Sequence, residues 1–372
     1  MMEKISTRWM ILISSLIIAF ALIGMMFIRD RRVDTDITRK TTRVGLVLTG
    51  NADDRNYCQN QYESLMSLKD ELNLKIVLKE NVPEDESCYE AIRDLVKKDG
   101  CRVVVAASFG YGNSCIRAAE EFPDVAIIHT HGSESSANLA SCQGRMYQAR
   151  YLSGIAAGMR TETDSIGYVA AFPYSEVNRD LNAFALGVRR VNPAANVYVR
   201  FCDSWLDDDA AGDATIRLLD DHPDIDVISM HTNSIRPNEV ADERGVWSIG
   251  FNRDNAGLFP DTYVTACVWS WENYYRKAIT DFLRGKFHGE IVWLGMEDKV
   301  PGLSDLTKNA VSGTQEAMDE AGEELASRKF DVFYGQINDN TGRVRILDGE
   351  SMSDEEMMNH FDWYVEGVII EE

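Results

Sequence analysis

The sequence predicts an α/β fold of two doubly wound lobes in tandem. Two observations carry this: apolar strand-like runs alternate with amphipathic helical runs along most of the chain, and the series restarts near residue 161. The strand runs are apolar on both faces, which specifies a mainly parallel sheet covered by helices on either side. A length of 372 residues with 45% hydrophobic content is ample for two such cores.

In the first series RVGLVLTG reads as a strand closing on a Gly turn, and QYESLMSLKDEL follows with helical spacing of Tyr62, Leu65, Met66, Leu68 and Leu72. LKIVLKE, CRVVVAASFG and DVAIIHTHG are the next strands, separated by the helices CYEAIRDLVKKDG and GNSCIRAAEEFP, which break at Gly100 and Pro123. The helix RMYQARYLSGIAAGM joins the two series. In the second, SIGYVAAF, NVYVRFCDSW, DVISMHTN, VWSIGFN and YVTACVWSW alternate with NRDLNAFALGVRRVNP, AGDATIRLLDDH and PNEVADERG. The expected organisation is an N-terminal segment 1–40, a first lobe 41–160 with a return segment near 270–310, a second lobe 161–269 with 311–345, and a tail 346–372.

Residues 9–28, WMILISSLIIAFALIGMMFI, form an uncharged run about as long as a bilayer-spanning helix needs. No small-residue cleavage pattern and no cysteine follows it before Cys58, so an uncleaved single-pass anchor is expected, with the remainder on one side of the membrane. Counting 38 Lys+Arg against 60 Asp+Glu gives a net charge of −22, which repels phosphate backbones and argues against a nucleic-acid partner. Seven scattered cysteines form no CxxC pair, and no zinc-finger spacing occurs. The run LDDDAAGD lacks the glycine and distal Glu of a calcium loop and reads as an acidic helix start. His129 and His131 are not expected to share a metal. No metal and no cofactor is expected.

Enzyme signatures are missing: there is no GxGxxG after the first strand, no GxxxxGK[ST], no GxSxG and no HExxH. Ligands of open α/β sheets bind beyond the carboxyl ends of the strands. The loops there carry Tyr57, Phe109, His131, Trp205, His231, Asn252, Asp254, Trp269 and Trp271. Rings beside Asn, Asp and His suit a flat heterocycle, giving faces to stack on and directional groups for its edge. Tyr57 and Trp205, one from each half, are the expected platform, with Asn252 or Asp254 reading the edge.

Several motifs then become recognisable in order: Ser108-Phe109-Gly110, His129-Thr130-His131-Gly132, the segments ARYLSG (149–154) and IGYVAAFP (166–173), and DSWLDD (203–208). HTNS (231–234), GFNRD (250–254), Trp269-Ser270-Trp271 and the ending FDWYVEG (361–367) follow. Over residues 42–367 the chain resembles the basic membrane protein family of ABC-transporter substrate-binding proteins, which includes purine nucleoside receptors and an adenine-binding branch. The resemblance implies a periplasmic-binding-protein type I-like fold, a non-enzymatic role capturing a purine nucleobase or nucleoside, an ABC permease as partner, and an extracytoplasmic soluble part. A membrane-anchored sensor using the same fold is the alternative. Three departures stand out: the first loop lacks a GDGGW-like form, His131 replaces the Asp that nucleoside-binding relatives use for ribose, and Glu297 replaces their Lys. The last two remove sugar contacts while the aromatic platforms remain, which favours a base over a nucleoside.

Overall fold

The computed structural model describes residues 37–327 and 330–371. The apolar run at 9–28 lies outside them, and among the described residues no helix is long and apolar enough to cross a membrane.

The first sheet has six strands in the order β11-β5-β4-β3-β1-β2: β1 (Thr42–Leu48), β2 (Leu74–Lys79), β3 (Val103–Ala107), β4 (Ala126–Thr130), β5 (Leu139–Gly144) and β11 (Ile291–Leu294). Every pairing is parallel, as between Val44 of β1 and Val103 of β3. The helices α1 (Tyr57–Ser67), α2 (Glu86–Lys97) and α3 (Gly112–Glu121) connect its strands. Two apolar cores flank the sheet, one around Leu46, Val105 and Trp271, the other around Ile92, Val104 and Ile127.

Helix α4 (Met146–Arg160) crosses to the second sheet. That sheet has seven strands in the order β12-β10-β9-β8-β6-β7-β15: β6 (Ser165–Ala170), β7 (Asn196–Phe201), β8 (Val227–His231), β9 (Trp247–Asn252), β10 (Tyr263–Trp269), β12 (Pro301–Leu303) and β15 (Val368–Ile370). Only β12 runs antiparallel to its neighbour. Its helices are α5 (Ser175–Val191), α6 (Asp208–Asp221) and α7 (Arg236–Arg244), followed by α8 (Glu272–Leu283) back on the first lobe. The acidic run at 206–213 opens α6, where the Asp207 carboxylate accepts from the Ala210 amide as an N-cap. Helix α9 (Thr314–Ala326), the hairpin β13 (Ile337–Asn338) with β14 (Val344–Ile346), and α10 (Asp354–Asn359) complete the chain. The C-terminal tail is stitched to α5. Asn178 Nδ2 donates to the Phe361 carbonyl, while Asn182 donates to the Trp363 carbonyl and accepts from the Val365 amide.

The seven cysteines are all free and all but Cys202 are buried, as small apolar fillers. Buried His129 donates from Nε2 to the Ser108 carbonyl at 2.7 Å, and burial pushes its pKa down to about 4. The folded protein therefore holds it neutral, whereas the unfolded chain protonates it near pH 6.5. The resulting stability is complete above pH 6.5 and is lost as pH falls toward 4, an effect on the order of 3 kcal/mol. Urea midpoints should drop over that window. They should drop less in His129→Gln, whose amide donates to the same carbonyl without titrating; an identical drop would remove His129 from the account.

Candidate ligand-binding site

The carboxyl ends of both sheets face each other, and polar contacts tie the lobes together across the cleft. Asn252 Nδ2 donates to Asn56 Oδ1 at 2.6 Å, Asn60 Nδ2 to the Trp269 carbonyl at 2.8 Å, and Asn255 Nδ2 to the Arg55 carbonyl at 2.9 Å. Ion pairs Arg55–Glu239 at 3.3 Å and Arg253–Glu63 at 3.0 Å span the rim. His131 Nδ1 lies 3.6 Å from Glu176 Oε1, lobe to lobe.

Local chemistry explains how the side chains are presented. The Asp54 carboxylate accepts from the amides of Asn56, Cys58 and Gln59, which fixes the entry to α1 and turns Tyr57 inward. His131 follows β4 and Asn252 ends β9, both in the left-handed region, at φ 61° and 68°. Such turns reverse the chain and aim these side chains into the gap.

The rings fall into two groups. On the first-lobe side, His131 touches Tyr57 at 5.8 Å and, edge-on, Trp269 at 5.6 Å and Trp271 at 5.5 Å; the two indoles stack at 4.8 Å. Gly144 is required beneath them, since a Cβ there would come within 2.1 Å of the Trp269 ring. On the second-lobe side, Trp205 meets His231 at 5.7 Å and Phe172 at 6.3 Å, and His231 packs on Phe251 at 4.5 Å.

Asn252 joins the groups: its Nδ2 also donates to Asn233 Oδ1 at 2.9 Å, and its Oδ1 accepts from Trp269 Nε1 at 3.0 Å. Two buried donors nearby, Asn56 Nδ2 and Trp271 Nε1, have no hydrogen-bond partner among the described residues.

Beside His231 lies a cluster of buried charge. Asp180 of α5 sits 3.9 Å from Arg150 Nε, 3.6 Å from Arg179 Nε and 4.0 Å from His231 Nδ1. Burial pushes the Asp180 carboxyl up to about 7 against the pull of Arg179 and Arg150. Burial pushes His231 well down, and the two arginines push the same way. Burial also lowers His131, which Glu176 pulls back up.

Of the residues expected from the sequence, Tyr57, His131 and Trp271 thus come together, as do Trp205 and His231, with Asn252 between. Phe109 does not join them: it starts a 3-10 turn and is 72% exposed. Asp254 is exposed as well, and its carboxylate accepts from the Ala256 amide at 2.9 Å. Asn56 lies on the first strand-end loop that the sequence points to, whereas sequence reasoning missed Glu176, Arg150, Arg179 and Asp180. The ARYL segment was a signal for Arg150, but nothing in it shows which way a helical Arg points. Among the described residues no group of His, Cys, Asp or Glu is placed to hold a metal ion.

Two α/β lobes joined by crossing segments, with a ring-lined cleft between their strand ends, define a solute-binding protein of the periplasmic-binding type. The family model for PnrA-like ABC transporter substrate-binding proteins matches residues 41–335, and the chain belongs to this extracytoplasmic solute-binding family. A putative ABC transporter glucose-binding protein of Haloferax volcanii is 33% identical over 266 residues, 72% of this chain but only 65% of that protein's length. A purine-binding protein of Brucella abortus is 28% identical over 328 residues, 88% of this chain and 92% of its own. The crystal structure of a transcriptional activator of the comK gene from Bacillus halodurans shares the fold, with a TM-score of 0.68 at 22% identity over 77% of this chain and 99% of that one.

Proposed function

We propose that the chain captures a purine nucleobase or nucleoside outside the membrane and delivers it to an ABC permease, tethered by its N-terminal apolar run. The observation that carries this is the pairing of two ring groups, one on each side of the cleft, with unpartnered buried donors on Asn56 and Trp271 between the lobes. Rings exclude water from the faces of a flat base, and buried donors then discriminate its acceptors, because an unmatched polar group in a dry site is costly. In this reading Asn252 holds the lobes together, since both its amide protons are already spent, and the edge is read by its neighbours.

Residues 1–40 are dispensable for binding in this scheme, because among the described residues every βα unit begins at or after Thr42. The test is calorimetric titration of a fragment starting at Thr41 with adenine, hypoxanthine, guanine, adenosine and glucose. One or more purines should bind stoichiometrically. Trp205→Ala should weaken them about ten- to a hundredfold, as expected for losing one stacking partner. Binding of glucose alone would overturn the purine reading. Unchanged purine affinity in Trp205→Ala would make that indole a packing residue.

A further inference from the structure

We propose that Asp180 and Arg150 form a charged floor to the cleft that selects 6-oxopurines, with guanine the best match, over 6-aminopurines. The inference rests on the purine reading above and adds which purine the cleft prefers.

Arg150 is wholly buried, and Asp180 and Arg179 are 1% and 3% exposed. Among the described residues, neither carboxylate oxygen of Asp180 has a hydrogen-bond partner, and Arg150 Nε and Nη2 have none either. Buried charge left this way is among the most costly arrangements a fold can hold. A pair built for stability would close to about 2.8 Å with matched hydrogen bonds. Here the groups are held apart. Arg150 Nη1 is committed to the Met230 carbonyl at 3.0 Å and its guanidinium lies 4.0 Å over the Phe251 ring. Arg179 Nη1 is committed to the Met357 carbonyl at 3.0 Å.

The place is as informative as the chemistry. Met230 and His231 end β8 and Phe251 belongs to β9, so Arg150 reaches the cleft-facing ends of these strands. His231 contacts both Trp205 and Phe251 while its Nδ1 lies 4.0 Å from Asp180, so the charged cluster is continuous with the second-lobe ring group. Glu176, which faces His131 across the gap, precedes Asp180 by one helical turn on α5.

In its ionised form, which Arg179 and Arg150 favour against burial, the Asp180 carboxylate only accepts, and a guanidinium only donates. The floor therefore offers two unused acceptors beside two unused donors, with Asp180 Oδ2 and Arg150 Nε 3.9 Å apart. That spacing lets two hydrogen bonds run side by side to neighbouring positions on one ring system. A guanine answers all four groups: O6 and N7 are adjacent acceptors for the arginine edge, as in the most common specific arginine contact to that base, and N1–H and the 2-amino group are adjacent donors for the carboxylate. Hypoxanthine lacks only the 2-amino donor. Adenine keeps N7 but carries an amino group at position 6 and has neither N1–H nor a 2-amino group, so in the same pose it leaves one arginine donor and both carboxylate oxygens unmatched, and unmatched buried groups are what a polar site rejects most strongly.

The test uses the full-length chain in detergent and calorimetry with guanine, hypoxanthine, 1-methylhypoxanthine and adenine. Wild type should bind guanine and hypoxanthine at least about tenfold more tightly than adenine or than 1-methylhypoxanthine, whose methyl removes the N1–H. Asp180→Asn replaces two acceptors with an acceptor and a donor, the pattern with which asparagine reads the adenine edge. It should weaken the 6-oxopurines about ten- to a hundredfold while leaving adenine unchanged or tighter, a reversal that a purely structural role would not produce. Adenine or 1-methylhypoxanthine binding wild type as tightly as hypoxanthine would overturn the inference and leave the purine reading standing; this arm needs no variant to fold. Failure of every purine to bind would overturn both.

Discussion

Gly187→Ala is expected to destabilise the second lobe by about 3 kcal/mol or more, although alanine is the better helix former by up to about 1 kcal/mol. Helices α4 and α5 cross with their backbones in near contact. A Cβ on Gly187 would lie 1.9 Å from the Tyr151 carbonyl oxygen, and one on Gly154 would lie 2.0 Å from the Phe184 carbonyl oxygen. Both obstacles are main chain, so no rotamer change relieves them and the helices must separate. Tyr147, Ile155, Phe184 and Val188 are all buried in the core around this crossing, and separation opens voids among them. Because Arg150 rides on α4 and Asp180 on α5, the same shift would widen their 3.9 Å approach. Denaturant unfolding should show an early transition for the variant. A midpoint equal to or above wild type would mean that helix propensity, and not the close crossing, governs the position.

How much of this was legible in the sequence depends on what each feature needs from the rest of the fold. The strand VVVAA of β3 is buried on both faces, so its unbroken apolar run announces it. LASCQG of β5 carries Ser, Gln and Gly and no β-branched residue, and it becomes a strand only because β4 and β11 pair with it on either side. PGL of β12 and VII of β15 are three-residue edge strands with no periodicity to detect.

The site shows the same division. Tyr57, His131 and Trp205 lie just beyond strand ends, where fold class alone puts ligand contacts. Phe109 and Asp254 lie there too, but their loops turn outward. Arg253 is drawn to Glu63 across the rim, and the Asp254 carboxylate is spent on its own turn. Arg150 and Asp180 are 30 positions apart on two amphipathic helices, and only the glycine-lined crossing brings them together. Binary patterning reports that a helix has a buried face; it does not report which polar residue on that face meets which.

Asn252→Gly is expected to weaken purine binding by about thirty- to a hundredfold, about 2 to 3 kcal/mol, with the smaller loss of stability of the two substitutions considered at this position. The Asn252 side chain is buried and makes three hydrogen bonds: to Asn56 of the first lobe, to Asn233 of the second, and from the indole of Trp269. The bond to Asn56 exists only while the lobes are together. Removing the amide therefore takes free energy from the closed form and leaves the Trp269 N–H buried without a partner. Asparagine is also suited to the backbone here, because φ is 68° and it tolerates the left-handed region better than most residues. Asn252→Ala would lose the same hydrogen bonds and add about 1 to 2 kcal/mol of backbone strain, which glycine avoids. The pair of variants separates the two contributions: equal losses of affinity but unequal melting temperatures, with alanine the lower. Titration of both variants and wild type with whichever purine binds wild type most tightly checks the first part, and thermal unfolding without ligand checks the second. If Asn252→Gly binds as tightly as wild type, the amide does not latch the lobes, and Arg55–Glu239 and Arg253–Glu63 at the rim hold the closed form instead.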